Sequence, residues 1–105
     1  MPPKGPDPYE YAVRLSKNSK LIREFVDPSH VTPILTQNKI MTKMEADVVY
    51  HLHDTSKKWD LILAVLQQRG ERAYQAFLVA LLQSKYVTMF HTIQGTRVSL
   101  SDREN

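Results

Sequence analysis

The stretch Asp54-Thr-Ser-Lys-Lys-Trp-Asp-Leu-Ile-Leu-Ala-Val-Leu-Gln-Gln-Arg-Gly-Glu-Arg-Ala-Tyr-Gln-Ala-Phe-Leu-Val-Ala-Leu-Leu82 decides the fold class. Trp59, Ile62, Leu63 and Leu66 recur at helical spacing and form one apolar stripe; Ala73, Phe77 and Leu81 form the next. Between them stands only Arg69-Gly70. A glycine there can turn the chain, because a residue without Cβ adopts positive φ with little penalty. Two amphipathic helices joined so tightly must touch, and their remaining apolar surface needs further helices to cover it. The expectation is a small helical bundle.

Working outward, residues 1–8 hold four of the six prolines and read as a flexible leader. Pro8 suits the first turn of a helix that follows. A long first helix is expected from about residue 9 to residue 26, with Ala12, Leu15, Ser19, Ile22 and Val26 on one face. Asp27-Pro28 closes it and opens a second helix, over about 28–37, with Asp27 as cap. Thr32-Pro33 repeats the cap-plus-proline pattern inside that segment. Asn38 and Lys39 mark its exit. Thr42-Lys-Met-Glu45 matches a capping box, so a third helix should run to about His51, burying Met44, Val48, Val49 and Leu52. The opening stretch supplies the fourth and fifth helices. The sixth, over about 85–93, presents Tyr86, Met89, Phe90 and Ile93. Gly95 ends it, leaving 96–105 as a polar tail or linker. The reading is an all-α bundle of six helices over 9–95.

Composition narrows the function. With 105 residues, 42% hydrophobic and 24% charged, the chain has the makeup of one ordinary globular domain. No apolar run approaches the roughly 20 residues of a membrane span, and the proline-rich start is not a secretory signal. Cysteine is absent, which excludes disulfides and thiolate metal sites and is compatible with a reducing compartment. His51 and His53 are two residues apart and fall on different sides of a helix, without an HExxH pattern. Asp54 and Ser56 beside them lack a nucleophile elbow or glycine-rich loop. No catalytic, metal or cofactor site is therefore expected.

A net charge of +3 is mild, but its distribution is uneven. Residues 11–23 contain Arg14, Lys17, Lys20 and Arg23 and no acid; residues 24–54 contain Glu24, Asp27, Glu45, Asp47 and Asp54 against only Lys39 and Lys43. Lys57 and Lys58 then restore positive charge. Such a layout can give one basic and one acidic face, suited to head-to-tail pairing. Trp59, Tyr74 and Phe77 fall on the apolar stripes and read as core aromatics, not as platforms for bases.

The order of these segments resembles a caspase recruitment domain (CARD) of the death-fold superfamily, over roughly 12–93. The resemblance is carried by Leu21-Ile-Arg-Glu-Phe25, by Val31-Thr-Pro-Ile-Leu-Thr-Gln-Asn-Lys-Ile-Met-Thr42, by the capped third helix, and above all by Leu61-Ile-Leu-Ala-Val-Leu-Gln-Gln-Arg-Gly-Glu-Arg-Ala-Tyr-Gln-Ala-Phe-Leu78. Phe25-Val-Asp-Pro-Ser-His-Val-Thr-Pro-Ile-Leu35 is similar to the CARD-coiled-coil scaffolds, while Gln68-Arg-Gly-Glu-Arg-Ala-Tyr-Gln-Ala-Phe77 is similar to initiator-caspase and adaptor CARDs.

The resemblance implies a six-helix antiparallel Greek-key bundle and a non-enzymatic homotypic interaction module. Such a module recruits CARD-containing partners (an initiator caspase, adaptor or scaffold) into oligomeric, helical assemblies in apoptosis or innate immunity, in the cytoplasm. Carried onto this chain, Arg14, Lys17, Lys20, Arg23, Lys57 and Lys58 would form the basic partner-binding face, and Asp27, Glu45, Asp47 and Asp54 the acidic one. Arg69 and Arg72 would belong to a second surface. The sequence contains no caspase, kinase, nucleotide-binding or coiled-coil segment, which suggests an excised domain or a CARD-only protein. An inhibitory CARD-only decoy is one alternative. A basic nucleic-acid-binding domain is another, with Arg14, Lys17, Lys20 and Arg23 on phosphates.

Overall fold

The computed structural model describes residues 10–96; the proline-rich leader and the tail beyond Thr96 lie outside the described residues. Those residues form α1 (Glu10–Lys17), α2 (Ser19–Phe25), α3 (Pro28–Gln37), α4 (Lys43–His51), α5 (Thr55–Arg69), α6 (Glu71–Gln83) and α7 (Val87–Gln94). No strand occurs among them. α5 and α6 pack along each other and against α3; α4 covers α3 and α5; α1, α2 and α7 close the opposite side.

The first helix is broken where one continuous helix was expected. Asn18, 5% exposed, divides α1 from α2. Its amide Nδ2 donates to the Arg14 carbonyl and to Thr96 Oγ1, both at 2.7 Å. Asparagine competes for backbone groups and is a weak helix former. Here it also ties the break to the end of α7, and Leu15, Ile22 and Val26 still all face the core.

The helix ends follow local chemistry. Asp27 Oδ1 accepts from the Ser29 N–H at 2.9 Å and Asp54 Oδ1 from the Ser56 N–H at 2.8 Å, capping α3 and α5. Thr42 and Glu45 form the reciprocal capping box at the start of α4. Thr32 is no cap: α3 runs through Pro33, and the fully buried Thr32 hydroxyl donates to the Pro28 carbonyl at 2.7 Å. Lys39 takes φ 63° and ends α3, with the Ile40 N–H reaching the Leu35 carbonyl and the Lys39 N–H reaching that of Thr36. Lys85, at φ 70°, ends α6 with the same pair of bonds to Leu81 and Leu82.

The core forms on the predicted stripes of α5 and α6. Trp59, Ile62, Leu66, Ala73, Phe77 and Leu81 have no exposed surface. On α4 the prediction is rotated. Val49 is buried and Leu52 half-buried, but Met44 is 77% and Val48 48% exposed. Ala46 and Val49 face inward instead. The cause is polar: Glu45, one residue round from Met44, is held against α5 by Arg69, which turns positions 44 and 48 outward.

Candidate interaction surfaces

The charged residues proposed as partner contacts fall into two groups, those bound within the domain and those with charge to offer. Arg14 belongs to the first. Its Nη2 lies 2.6 Å from Glu10 Oε1, and its Nε donates to the Thr96 carbonyl at 3.1 Å. Arg23 is engaged as well, with Nη1 donating to the Ser56 carbonyl and hydroxyl, both at 3.0 Å, and Nη2 2.6 Å from Asp60 Oδ1. This seam brings α2 alongside the first turn of α5, where Lys57 and Lys58 stand. Lys17, Lys20 and Lys57 are exposed and Lys58 is half-buried; Lys17 carries an interaction of its own.

The acids divide similarly. Asp27 caps α3, and its hydrogen bonds from the Ser29 hydroxyl and backbone N–H hold its carboxyl below the usual range, helped by nearby His30 and Lys58. Asp27 thus stands beside a member of the basic set. Asp54 caps α5 two residues before Ser56, the group that Arg23 binds. On α4 the arrangement differs. Asp47 is exposed, and among the described residues its carboxylate has no hydrogen-bond or ion-pair partner; only its backbone carbonyl is engaged, 2.7 Å from His51 Nδ1.

Glu45 and Arg69, read from sequence as members of two different surfaces, bind each other. Arg69 Nη1 and Nη2 reach Glu45 Oε1 and Oε2 at 2.6 and 2.8 Å, and Nη1 also donates to the Ile40 carbonyl at 2.8 Å. This fork clamps α4, the α3–α4 turn and the end of α5 together. Arg72, one turn on, is exposed. The Arg69 hydrogen bonds, opposed by burial and aided by the Thr42 N–H, lower the Glu45 carboxyl from 4.5 to about 2. A carboxyl whose pKa falls on folding stabilises the native state above its unfolded pKa, and that contribution is lost as pH falls through the folded value. Thermal melts should therefore show a stability loss between pH 4.5 and about 2. Glu45→Gln should flatten that limb while leaving the fold intact at neutral pH. An unchanged acid limb would place the titration elsewhere.

No sequence pattern announces these pairs, since Glu45 and Arg69 are 24 residues apart. The Asp60 partner of Arg23 also escaped the sequence reading. Its only local hint was an acid one residue after Trp59, just past Lys57 and Lys58.

A seven-helix bundle with exposed lysines on α2 and α5 and exposed Met44 and Val48 on α4 offers surface for contact with another protein. The model of the caspase recruitment domain family matches residues 14–96, and the chain belongs to that family. Comparison with curated proteins and with solved structures gave no match. The domain is a homotypic protein–protein interaction module of the death-fold superfamily, a class that serves apoptotic and inflammatory signalling and binds other CARD-containing proteins. Among the described residues no helix is long and apolar enough to cross a membrane.

Proposed function

We propose that this domain pairs head to tail with other CARDs. The exposed Asp47 on α4 of one molecule would face the cationic seam of Lys20, Lys57 and Lys58 on the next, with Lys17 flanking it. The observation that carries this reading is the state of Asp47: an exposed carboxylate on α4 without a partner among the described residues, apart from α2 and α5, which carry Lys20 and Lys57 at the surface. Glu45 and Arg69 act here as the clamp that fixes the α4 face. Arg14 and Arg23 act as the anchors that hold α1 and α2 in place.

Because the two surfaces differ, the contact is heterologous and need not close on itself, which allows helical head-to-tail assembly. Partners of this kind are an initiator caspase, an adaptor or a scaffold carrying a CARD, assembled in the cytoplasm into oligomeric complexes of apoptosis or innate immunity. The recruited partner performs the chemistry, and this domain supplies proximity.

Lys20→Glu and Asp47→Lys test the reading. An exposed pair is worth ~0–1 kcal/mol, and reversal turns attraction into repulsion, so each variant should weaken self-association or CARD binding about tenfold. The effect should shrink as salt is raised. If both variants associate like the wild type in sedimentation and pull-down measurements, charge pairing is not the mechanism.

A further inference from the structure

Arg23 is held from two sides by one turn of α5. Its Nη1 donates to the carbonyl and hydroxyl oxygens of Ser56, and its Nη2 lies 2.6 Å from Asp60 Oδ1. Ser56 and Asp60 are four residues apart and share a face of the helix. The two sides do different work. The Ser56 bonds anchor α2 on the first turn of α5. The ion pair is open to solvent, with the Asp60 side chain 62% and the Arg23 side chain 31% exposed. Asp60 caps no helix, unlike Asp27 and Asp54, and its carboxylate has no other partner among the described residues.

This acid stands inside the basic surface. Lys20 precedes Arg23 by three residues on α2, and Lys57 precedes Asp60 by three on α5, so each lysine neighbours one member of the pair. From a distance the pair is neutral, and Arg23 adds nothing to the field that Lys20, Lys57 and Lys58 present. An exposed ion pair also adds little to stability, so releasing Asp60 costs the fold little while the Ser56 bonds remain. Beside the pair, between α1, α2 and α5, is a hollow of about 250 Å³ whose other polar side chains are Ser16, Ser19 and Gln67. A second carboxylate has room to approach Arg23 there without displacing a helix.

We infer that Arg23 is a latent contact of the basic surface, and that Asp60 sets the affinity of that surface by neutralising Arg23 in the free domain. The partner is the acidic face of a second copy of this chain, so the inference rests on the head-to-tail reading. To the residues that make the contact it adds one that weakens it. A contact weakened in this way needs a higher concentration of the domain to form.

The test compares Asp60→Asn with Glu24→Gln in the full 105-residue chain. Each removes one negative charge, from α5 and α2 respectively. Only Asp60→Asn also frees Arg23, because the exposed Glu24 carboxylate has no partner among the described residues. Asparagine keeps the shape of aspartate and an acceptor oxygen, so melting should stay close to that of the wild type. At about 0.05 M salt, Asp60→Asn should self-associate about fivefold more tightly in sedimentation equilibrium, a larger gain than Glu24→Gln gives, and the gain should fade near ~0.5 M salt. In an Arg23→Gln background the same change should bring no more than Glu24→Gln does, a coupling read from the double-mutant cycle. An Asp60→Asn variant no tighter than the wild type or Glu24→Gln, or a gain that survives Arg23→Gln, overturns the inference. A lower melting temperature with weaker association overturns it too, since the pair then serves only to hold α2 on α5. If Lys20→Glu and Asp47→Lys weaken association while Asp60→Asn changes nothing, charge pairing stands and this inference alone fails. If Asp60→Asn tightens association through Arg23 while Asp47→Lys has no effect, the latent contact stands and Asp47 is not the acid that meets it.

Discussion

Trp59→Ala should destabilise the domain by about 3–5 kcal/mol, a large share of the about 5–15 kcal/mol by which small domains are stable. Trp59 has no exposed surface. Its indole Nε1–H donates to the Val26 carbonyl at 3.1 Å, and its ring meets Phe77 edge-on with centroids 6.0 Å apart and planes at 78°. One side chain thus joins the end of α2 to α5 and α6. Truncation would open a cavity at that junction and leave the Val26 carbonyl without its donor. Trp59→Phe separates the two losses: it keeps most of the apolar volume and forfeits the hydrogen bond, which should cost about 1–3 kcal/mol. Chemical denaturation followed by circular dichroism gives both numbers, since the chain has a single tryptophan and the variants lose its fluorescence. A Trp59→Ala variant melting within two or three degrees of the wild type would contradict this account of the core.

That Trp59 belongs to the core could be read from its spacing with Ile62, Leu63 and Leu66, and the same reasoning placed Phe77 and Leu81. The caps at Asp27 and Thr42 were also legible, because a cap depends on residues two or three positions apart. Other features depend on distant groups. The break at Asn18 is secured by Thr96, 78 residues away. The rotation of α4 is set by Arg69; from periodicity alone, the ridge at 44 and 48 and the inner pair at 46 and 49 are both plausible buried faces. The candidate surface suffered most. Runs of like charge located Arg14, Arg23, Lys20 and Lys57 on the chain but could not separate the arginines bound to Glu10 and Asp60 from the lysines still available. Likewise Glu45 and Asp47, two residues apart, have different fates, because one faces Arg69 and the other faces solvent.

Gly70→Ala should lower stability by about 1–3 kcal/mol through the backbone alone, a fall in melting temperature of about 4–8 °C for each kcal/mol. Gly70 lies at φ 86°, ψ −159°. This is not the left-handed helical conformation that glycine commonly takes after a helix but an extended positive-φ region that side-chain-bearing L-residues essentially never occupy. The geometry is imposed from both sides. The Gly70 N–H closes α5 on the Leu66 carbonyl at 3.1 Å, and the Gly70 carbonyl accepts from the Tyr74 N–H at 3.1 Å to open α6. One residue ends one helix and starts the next, which is why α5 and α6 meet without a loop. Crowding is not the obstacle: an added Cβ would find only Tyr11 Oη, at 3.9 Å. A D-alanine at this position, introduced by chemical ligation, provides the control. Its mirror-image preferences make φ 86°, ψ −159° ordinary extended backbone, so it should relieve the strain that L-alanine introduces. Because Arg69 immediately precedes the turn, Gly70→Ala should also loosen the Glu45 clamp and blunt the acid limb of stability. A variant with unchanged melting temperature would mean that the α5–α6 junction tolerates another conformation at residue 70. Loss of stability without any change at acid pH would show that the clamp holds independently of the turn beside it.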